Sequence, residues 1–156
     1  MSEKRQNGDA EALAEIKEYL PHRSPFLFAD RVEIETSPEG DRIVGYRTYR
    51  PDEDFFKGHF PGYPVVPGVL QLETMFQLGG VGVRKMGIAG AGTFFLAKIR
   101  EARFRRQVRT GETFRAEIVN LKASPHIVHQ KGTGYVGDEV CVEAEWISIA
   151  GEGGPN

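Results

Sequence analysis

The chemistry of this chain concentrates around one histidine and one glutamate. His59 lies in the segment 58–70, where three prolines and three glycines restrict the backbone around the imidazole. Glu73 follows fourteen residues later, inside the apolar stripe of a predicted helix. A carboxylate in that position must be desolvated, paired or employed in chemistry. Because an imidazole titrates near neutral pH and burial raises a carboxyl pKa, we interpret the two as an acid/base pair.

A long central helix is predicted over residues 67–85, with Pro67 and Gly68 in the first turn, where a missing N–H costs nothing. Its apolar positions have the spacing of one buried helix face: Val69, Leu72, Phe76, Gly80 and Val83. Glycines at positions 79, 80 and 82 each weaken a helix by roughly 1 kcal/mol relative to alanine. Such glycines are tolerated where another backbone approaches closely, so we expect a sheet to wrap this helix.

Alternating apolar and polar residues predict the remaining elements. Strands are expected at 26–35, 42–50, 93–104, 112–123, 127–135 and 139–149, a short helix at 10–19 with Asp9 as its N-cap, a helical turn at 52–56 and a loop at 87–92. One long helix followed by successive strands indicates an α+β fold, with an antiparallel sheet curled around the helix. We expect a single domain over 1–156, with 1–9 and 151–156 flexible.

The composition is that of an ordinary globular protein, with 40% hydrophobic and 27% charged residues. A formal net charge of -2 gives no global attraction to nucleic acid or to anionic membranes. The single cysteine, Cys141, excludes an internal disulfide and suits a reducing compartment, and a packing role is expected for it. We expect a cytoplasmic protein without a membrane span. His126 and His129 lack metal-ligand spacing with His59, so no metal is expected.

The segment 58–73 resembles the FabZ family of 3-hydroxyacyl-[acyl-carrier-protein] dehydratases. The similarity extends from about residue 20 to about residue 149, through the segments 20–32, 94–108 and 140–145. It implies the hot-dog fold, no cofactor, and conversion of (3R)-3-hydroxyacyl chains on acyl carrier protein to trans-2-enoyl chains in fatty-acid elongation. Glutamate at position 73, where the related dehydratase–isomerase branch typically has aspartate, favours dehydration without isomerisation.

The resemblance also implies roles for single residues. His59 is the base, Glu73 of the partner protomer is the acid, and the Gly68 amide, at a helix N-terminus rich in free N–H groups, holds the thioester carbonyl. The site therefore requires a homodimer, and family members often form hexamers as trimers of dimers. Substrate contacts are expected from Phe60, Pro67, Val69, Gln77, Phe94 and Phe95. Neither Phe94 nor Phe95 is the tyrosine that often lines or gates the family's acyl tunnel.

The role of three arginines and the function of the whole chain each have an alternative. The arginines Arg103, Arg105 and Arg106 are expected either to dock the acidic carrier protein or to form an ordinary solvated strand face. His22 is expected to hold its segment in place through a hydrogen bond. Asp30 and Arg31 are expected to form a structural ion pair or to anchor a strand end. Two other functions fit the same fold, a non-catalytic acyl-thioester-binding protein and a thioesterase. The presence of both an acid and a base favours the dehydratase.

Overall fold

The computed structural model describes residues 3–90 and 93–151, and within them the chain forms two α-helices, one 3-10 helix and six β-strands. The elements are α1 (Glu3–Tyr19), β1 (Arg31–Glu35), β2 (Arg42–Thr48), the 3-10 helix (Asp54–Lys57), α2 (Gly68–Lys85), β3 (Phe94–Phe104), β4 (Thr113–Ala123), β5 (Ile127–Val136) and β6 (Glu139–Ala150). None of these helices, over the ranges described, is long and apolar enough to cross a membrane.

The six strands form one antiparallel sheet in the order β1-β2-β4-β5-β6-β3. The sheet curls around α2, whose buried side chains pack against the inward faces of the strands. This confirms the predicted α+β hot-dog architecture. β3 lies at one edge, and among the described strands it pairs only with β6.

Helix α2 is buried on almost every side, which explains its glycines. A Cβ at Gly79 would collide with the Gln130 side chain, and one at Gly82 would collide with Ile43. The expectation that a sheet wraps the helix closely is therefore confirmed. The predicted stripe is wrong at Val69, which is 70% exposed. Since the sheet curls around the helix, polar residues off the stripe are buried instead, among them Arg84.

The predicted boundaries differ from the observed ones mainly at the N-terminal end. Helix α1 begins at Glu3 instead of residue 10, so Asp9 lies within the helix and is not its N-cap. Strand β1 begins at Arg31 instead of residue 26, because the backbone of Phe26 and Phe28 hydrogen-bonds to Gln77 of α2 and not to a neighbouring strand. Residues 1–2, 91–92 and 152–156, which include most of the predicted tail, lie outside the described residues.

Candidate active site

The loop between the 3-10 helix and α2 holds His59 by its backbone and by its ring. The His59 N–H donates to the Phe55 carbonyl at 3.0 Å, and the Val65 N–H donates to the His59 carbonyl at 3.0 Å. Imidazole Nδ1 lies 2.8 Å from the Val65 carbonyl oxygen. Because a carbonyl can only accept, Nδ1 carries the proton and Nε2 keeps its lone pair. The ring also stacks on Phe60, with the centroids 4.1 Å apart.

A charged network anchors the 3-10 helix that precedes this loop. The Arg47 side chain is only 5% exposed and donates to Asp30 at 3.0 Å and to Glu53. Asp30 also accepts the Thr48 N–H at 2.7 Å, which ties the network to β2. Of the two roles predicted for Asp30 and Arg31, the ion pair is wrong in its partner, because the sheet places Arg47 beside Asp30. Asp30 does anchor a strand end, since it accepts the N–H of Thr48, the last residue of β2.

Glu73 is half-buried on α2, and burial raises the pKa of its carboxyl. The Gln77 side chain, one turn later, donates to Glu73 Oε1 at 3.0 Å, which lowers that pKa and offsets part of the rise. Gln77 is itself fixed: it accepts the Phe28 N–H at 2.7 Å and donates to the Phe26 carbonyl at 3.0 Å. The carboxyl is therefore held in one orientation by a side chain that is tied to a neighbouring loop.

His22 lies beside this carboxyl, with Nε2 3.7 Å from Glu73 Oε1. That distance is too long for a hydrogen bond. Burial, with smaller contributions from Arg84 and Arg23, lowers the pKa of His22, while burial raises that of Glu73. Both pKa shifts favour the neutral forms, which weakens any ionic attraction between the two groups. The hydrogen bond predicted for the His22 side chain is wrong, because among the described residues its Nδ1 is buried without a partner. The contact with Glu73 was not predicted, since nothing in the spacing of residues 22 and 73 indicates that they meet.

Glu73 opens into a cavity of about 220 Å³ between α2 and the sheet. Its walls come from three regions: Glu73, Phe76, Gln77, Gly80, Val83 and Arg84 of α2; Leu20, Pro21 and His22; and Thr93, Phe94, Phe95, Leu96, Val128, Gln130 and Ser148 of the sheet and its approach. Phe94 and Phe95 thus lie in the wall of the cavity that contains Glu73. Arg84, which sequence reasoning did not single out, lies there too.

His59 belongs to a different recess, of about 400 Å³, which also contains Phe60, Val65, Val66, Gly68, Gln71, Phe104, Arg105, Arg106 and Gln107. Gly68 is the first residue of α2, and its N–H has no hydrogen-bond partner within the described part of the chain. The Phe104 ring lies 2.9 Å from where a Cβ of Gly68 would be. Within one chain, His59 and the Gly68 amide therefore share a recess, and Glu73 lies in the wall of another.

The arginines proposed for docking are each paired with an acid. Arg103 contacts Glu101 at 2.8 Å, and Arg105 contacts Glu143 at 2.7 Å. Arg106 bonds Glu112 at 2.8 Å and Glu139 at 3.0 Å, and its bond to Glu112 is the largest cause of its raised pKa. These pairs offset much of the local positive charge. Arg105 and Arg106 nevertheless border the recess that contains His59.

Other candidate groups show no arrangement for chemistry. In residues 3–90 and 93–151, no three side chains of His, Cys, Asp or Glu are grouped to hold a metal ion. Cys141 is fully buried, and burial raises the pKa of its thiol, so the reactive thiolate is disfavoured. His129 bonds Glu145 at 2.9 Å on the sheet, away from both recesses.

Comparison with known proteins gives consistent matches. The family described as FabA-like domain matches residues 20–145. The chain is 45% identical over 138 residues to the 3-hydroxyacyl-[acyl-carrier-protein] dehydratase FabZ of Desulforamulus reducens, covering 88% of this chain and 95% of that protein. It is 40% identical over 139 residues to the FabZ dehydratase of Bacillus subtilis, covering 88% and 96%.

Solved structures share the fold at low sequence identity. A dehydratase heterocomplex from Xenorhabdus doucetiae superimposes with a TM-score of 0.71 at 18% identity, covering 88% of this chain and 91% of that one. A sigma28-regulated virulence protein from Campylobacter jejuni gives 0.62 at 11% identity, covering 92% and 93%.

Proposed function

Because this chain belongs to the FabZ family of dehydratases with a FabA-like domain, we propose that it converts (3R)-3-hydroxyacyl-[acyl-carrier-protein] to the trans-2-enoyl thioester. The protein is a hydro-lyase of fatty-acid biosynthesis. The assignment of roles to His59 and Glu73 rests on the hydrogen bond of the imidazole and on the burial of the carboxyl. The hydrogen bond to the Val65 carbonyl leaves the lone pair of His59 on Nε2, and burial raises the pKa of the Glu73 carboxyl.

The reaction needs a base at C2, an acid at C3 and a donor to the thioester oxygen. His59 Nε2 removes the C2 proton, and the electron pair of the broken C–H bond forms the C2–C3 double bond. The neutral Glu73 carboxyl gives its proton to the C3 hydroxyl, which departs as water. The Gly68 N–H, at the positive end of the α2 dipole, stabilises the charge that develops on the thioester oxygen. Proton exchange from imidazolium to carboxylate restores both groups.

The two recesses of one chain support a site shared by two copies. Phe104 borders the His59 recess, and Phe94 borders the Glu73 cavity. They stand at opposite ends of β3, ten residues apart, which is about 34 Å at the usual rise per residue. A second β3 paired antiparallel with this one places Phe104 of one copy beside Phe94 of the other. His59 of one protomer then faces Glu73 of its partner.

Strand β3 has the surface that such pairing requires. It is the edge of the sheet, and its exposed apolar side chains include Phe95 at 53%, Leu96 at 46% and Phe104 at 52%. A long, exposed apolar edge is a template for pairing with another chain. We propose a homodimer joined through β3, with further assembly to a hexamer of three dimers. The mass in solution, measured by light scattering, tests both assemblies.

Mixing two inactive variants tests the shared site directly. His59→Ala and Glu73→Gln should each lose at least about a hundredfold in kcat, since each removes one proton transfer. In a mixed dimer, the Glu73→Gln chain supplies His59 and the His59→Ala chain supplies Glu73, so one of the two sites is intact. After co-refolding at equal amounts, about a quarter of the wild-type activity should return. A mixture as inactive as its components would refute the shared site.

Docking of the carrier protein is proposed at the arginines beside the His59 recess. Arg103 is the best place to test it, because its side chain is 65% exposed and its pair with Glu101 is a surface pair of small energy. Arg103→Glu should raise KM for the carrier-bound substrate and leave KM for a short pantetheine thioester unchanged. Equal changes in the two KM values would indicate that these arginines form an ordinary solvated strand face and do not dock the carrier protein. We also propose a cytoplasmic location, because a single free and buried thiol suits a reducing compartment.

A thioesterase on the same fold remains the rival reaction, and one assay separates the two. The protein is given a 3-hydroxyacyl thioester, and enoyl absorbance and free thiol are followed together. Enoyl product without thiol supports dehydration. Thiol release would indicate hydrolysis, and tight binding without either product would indicate a non-catalytic acyl-thioester-binding protein.

A further inference from the structure

The recess that contains His59 also contains a buried glutamine whose amide has no partner within the described chain. Gln71 lies on α2 and is only 3% exposed. Among residues 3–90 and 93–151, its Oε1 has no hydrogen-bond partner and its Nε2 donates to no side chain or carbonyl. Buried polar side chains are normally bonded, because burial without a hydrogen bond is unfavourable. Since Gln71 borders the recess, its amide is placed to bind what enters there.

Two other buried glutamines show the contrast with amides that serve the fold. Gln77 makes three hydrogen bonds. Gln130 donates to the Gly79 carbonyl at 3.2 Å and to the Asn120 side chain at 2.8 Å. Each of these amides links its own element to a neighbouring one. Gln71 makes no such link within the described residues, which favours a role toward a ligand.

The position of Gln71 on the helix directs its amide toward the first N–H of α2. Gln71 follows Gly68 by three residues, so the two lie on one face of the helix, about 4.5 Å apart along its axis. Long side chains on a helix lean toward its N-terminus, which brings the amide of Gln71 back toward the level of Gly68. Both residues border the same recess. The amide and the Gly68 N–H therefore converge on one part of it.

The backbone of the first turn supplies few donors to this recess. The N–H groups of Leu70 and Gln71 both donate to the Pro67 carbonyl, at 2.9 and 3.1 Å. Val69 is not among the residues that border the recess, whereas Gly68 is. Within the described part of the chain, the first turn thus offers the recess one free backbone N–H. Sites that stabilise an oxyanion aim several donors at it, and a glutamine amide can be one of them.

We propose that Gln71 is a further catalytic residue, whose amide donates a second hydrogen bond to the thioester oxygen beside the Gly68 N–H. The inference rests on the proposed function, because that reaction places a thioester carbonyl at Gly68. Negative charge grows on this oxygen as the C2 proton leaves. A donor fixed there stabilises the transition state more than it stabilises the substrate. The amide stays neutral throughout, so it acts without exchanging a proton.

The division of the effect between kcat and KM tests this role. Gln71→Leu keeps the approximate volume and Gln71→Met keeps the unbranched shape, and both remove the amide. Each should lower kcat for a short 3-hydroxyacyl-pantetheine at least about thirtyfold and raise KM no more than about fivefold. The Tm should stay close to that of the wild type, because no hydrogen bond within the described chain is lost. An unchanged kcat in either variant, once it is folded, would overturn the proposal.

Two unreactive ligands show whether the amide contacts the carbonyl. Butyryl-pantetheine has the thioester carbonyl, and S-butyl-pantetheine has a methylene in its place. In calorimetric titrations, Gln71→Leu should bind the first about three- to fivefold more weakly than the wild type does, as expected for one lost neutral hydrogen bond. The two proteins should bind the second equally. Equal losses for both ligands would overturn the proposal, because the amide would then contact the pantetheine arm or only shape the recess.

These titrations also separate this inference from the proposed function, because they need no turnover. If the wild type bound the carbonyl ligand through Gln71 but formed no enoyl product, the proposed function would fail and the contact with the carbonyl would be supported. If the wild type and both variants dehydrated the substrate with the same kcat, the proposed function would be supported and the role of Gln71 would be overturned.

Discussion

Gln77 is the side chain through which the fold orients the proposed acid, and replacing it with leucine should affect stability and pH dependence together. Its amide accepts from the Phe28 N–H and donates to the Phe26 carbonyl and to Glu73. Leucine is close in size but can make none of these bonds. The buried Phe28 N–H and the partly buried Phe26 carbonyl are then left without partners.

The magnitude follows from those two orphaned groups. A buried polar group that loses its only partner costs about 1–3 kcal/mol. The Phe28 N–H is buried, so losing its partner costs more free energy of unfolding. The Phe26 carbonyl is only partly buried, so water can replace part of its lost hydrogen bond. We expect Gln77→Leu to lower the free energy of unfolding by about 2–4 kcal/mol, which is a fall of roughly 5–15 °C in Tm for a chain of this size.

The same substitution should shift the pH profile of activity. The hydrogen bond from Gln77 lowers the pKa of Glu73, so its removal raises that pKa further. Because Glu73 is proposed to act as the acid, the alkaline limb of kcat/KM should move to higher pH. The loss of orientation should lower kcat by about ten- to a hundredfold. The assay is dehydration of a short 3-hydroxyacyl thioester between pH 5 and pH 10.

Gln71 on the same helix supplies the matched control. It is also buried, but its Oε1 has no hydrogen-bond partner within the described chain. Replacement by leucine there removes an unsatisfied atom, so Gln71→Leu should change the unfolding free energy by less than about 1 kcal/mol. If Gln77→Leu were no less stable than Gln71→Leu, or if the alkaline limb of its pH profile moved to lower pH, the reasoning about Gln77 would be refuted.

Three further predictions concern Glu73, Arg47 and Gly68. Glu73 has a raised pKa in the folded chain. At a pH between the ordinary glutamate pKa and this raised pKa, the folded chain holds a proton that the unfolded chain has released. The free energy of unfolding therefore falls as the pH rises from the first pKa to the second. Glu73→Gln should therefore raise Tm above the wild type at pH 8, with the difference lost at pH 4. Arg47→Met leaves two acids without their buried cation and should cost about 3 kcal/mol in urea unfolding; exposed Arg50→Met should cost under about 0.5 kcal/mol. Gly68→Ala puts a methyl group 2.9 Å from an aromatic ring and should lower kcat/KM about tenfold, whereas Gly58→Ala, with open space around its Cβ, should not.

The sequence was sufficient for the type and order of the elements, though not for the starts of α1 and β1, and it singled out the two residues proposed to carry the chemistry. Strand alternation and the glycines of α2 are local signals, and the sheet that they predict is the one observed. The position of His22 against Glu73 could not be predicted this way, because it depends on how a loop folds onto a helix. Arg84 was missed for a related reason. Near the end of a helix an arginine normally reaches solvent, and only the surrounding sheet buries it.

The division of one chain into two incomplete recesses has an electrostatic consequence. In a single copy, Glu73 is half-buried and its cavity is walled partly by the exposed edge residues Phe95 and Leu96. In the proposed homodimer, a partner strand laid along β3 would cover that wall and remove further water from the carboxyl. Since desolvation is the cause of the raised pKa of Glu73, dimerisation would raise it again. The contact that brings a partner's His59 to Glu73 would then also keep the proton on Glu73. Dimerisation would both complete the site and keep its acid protonated for the dehydration step.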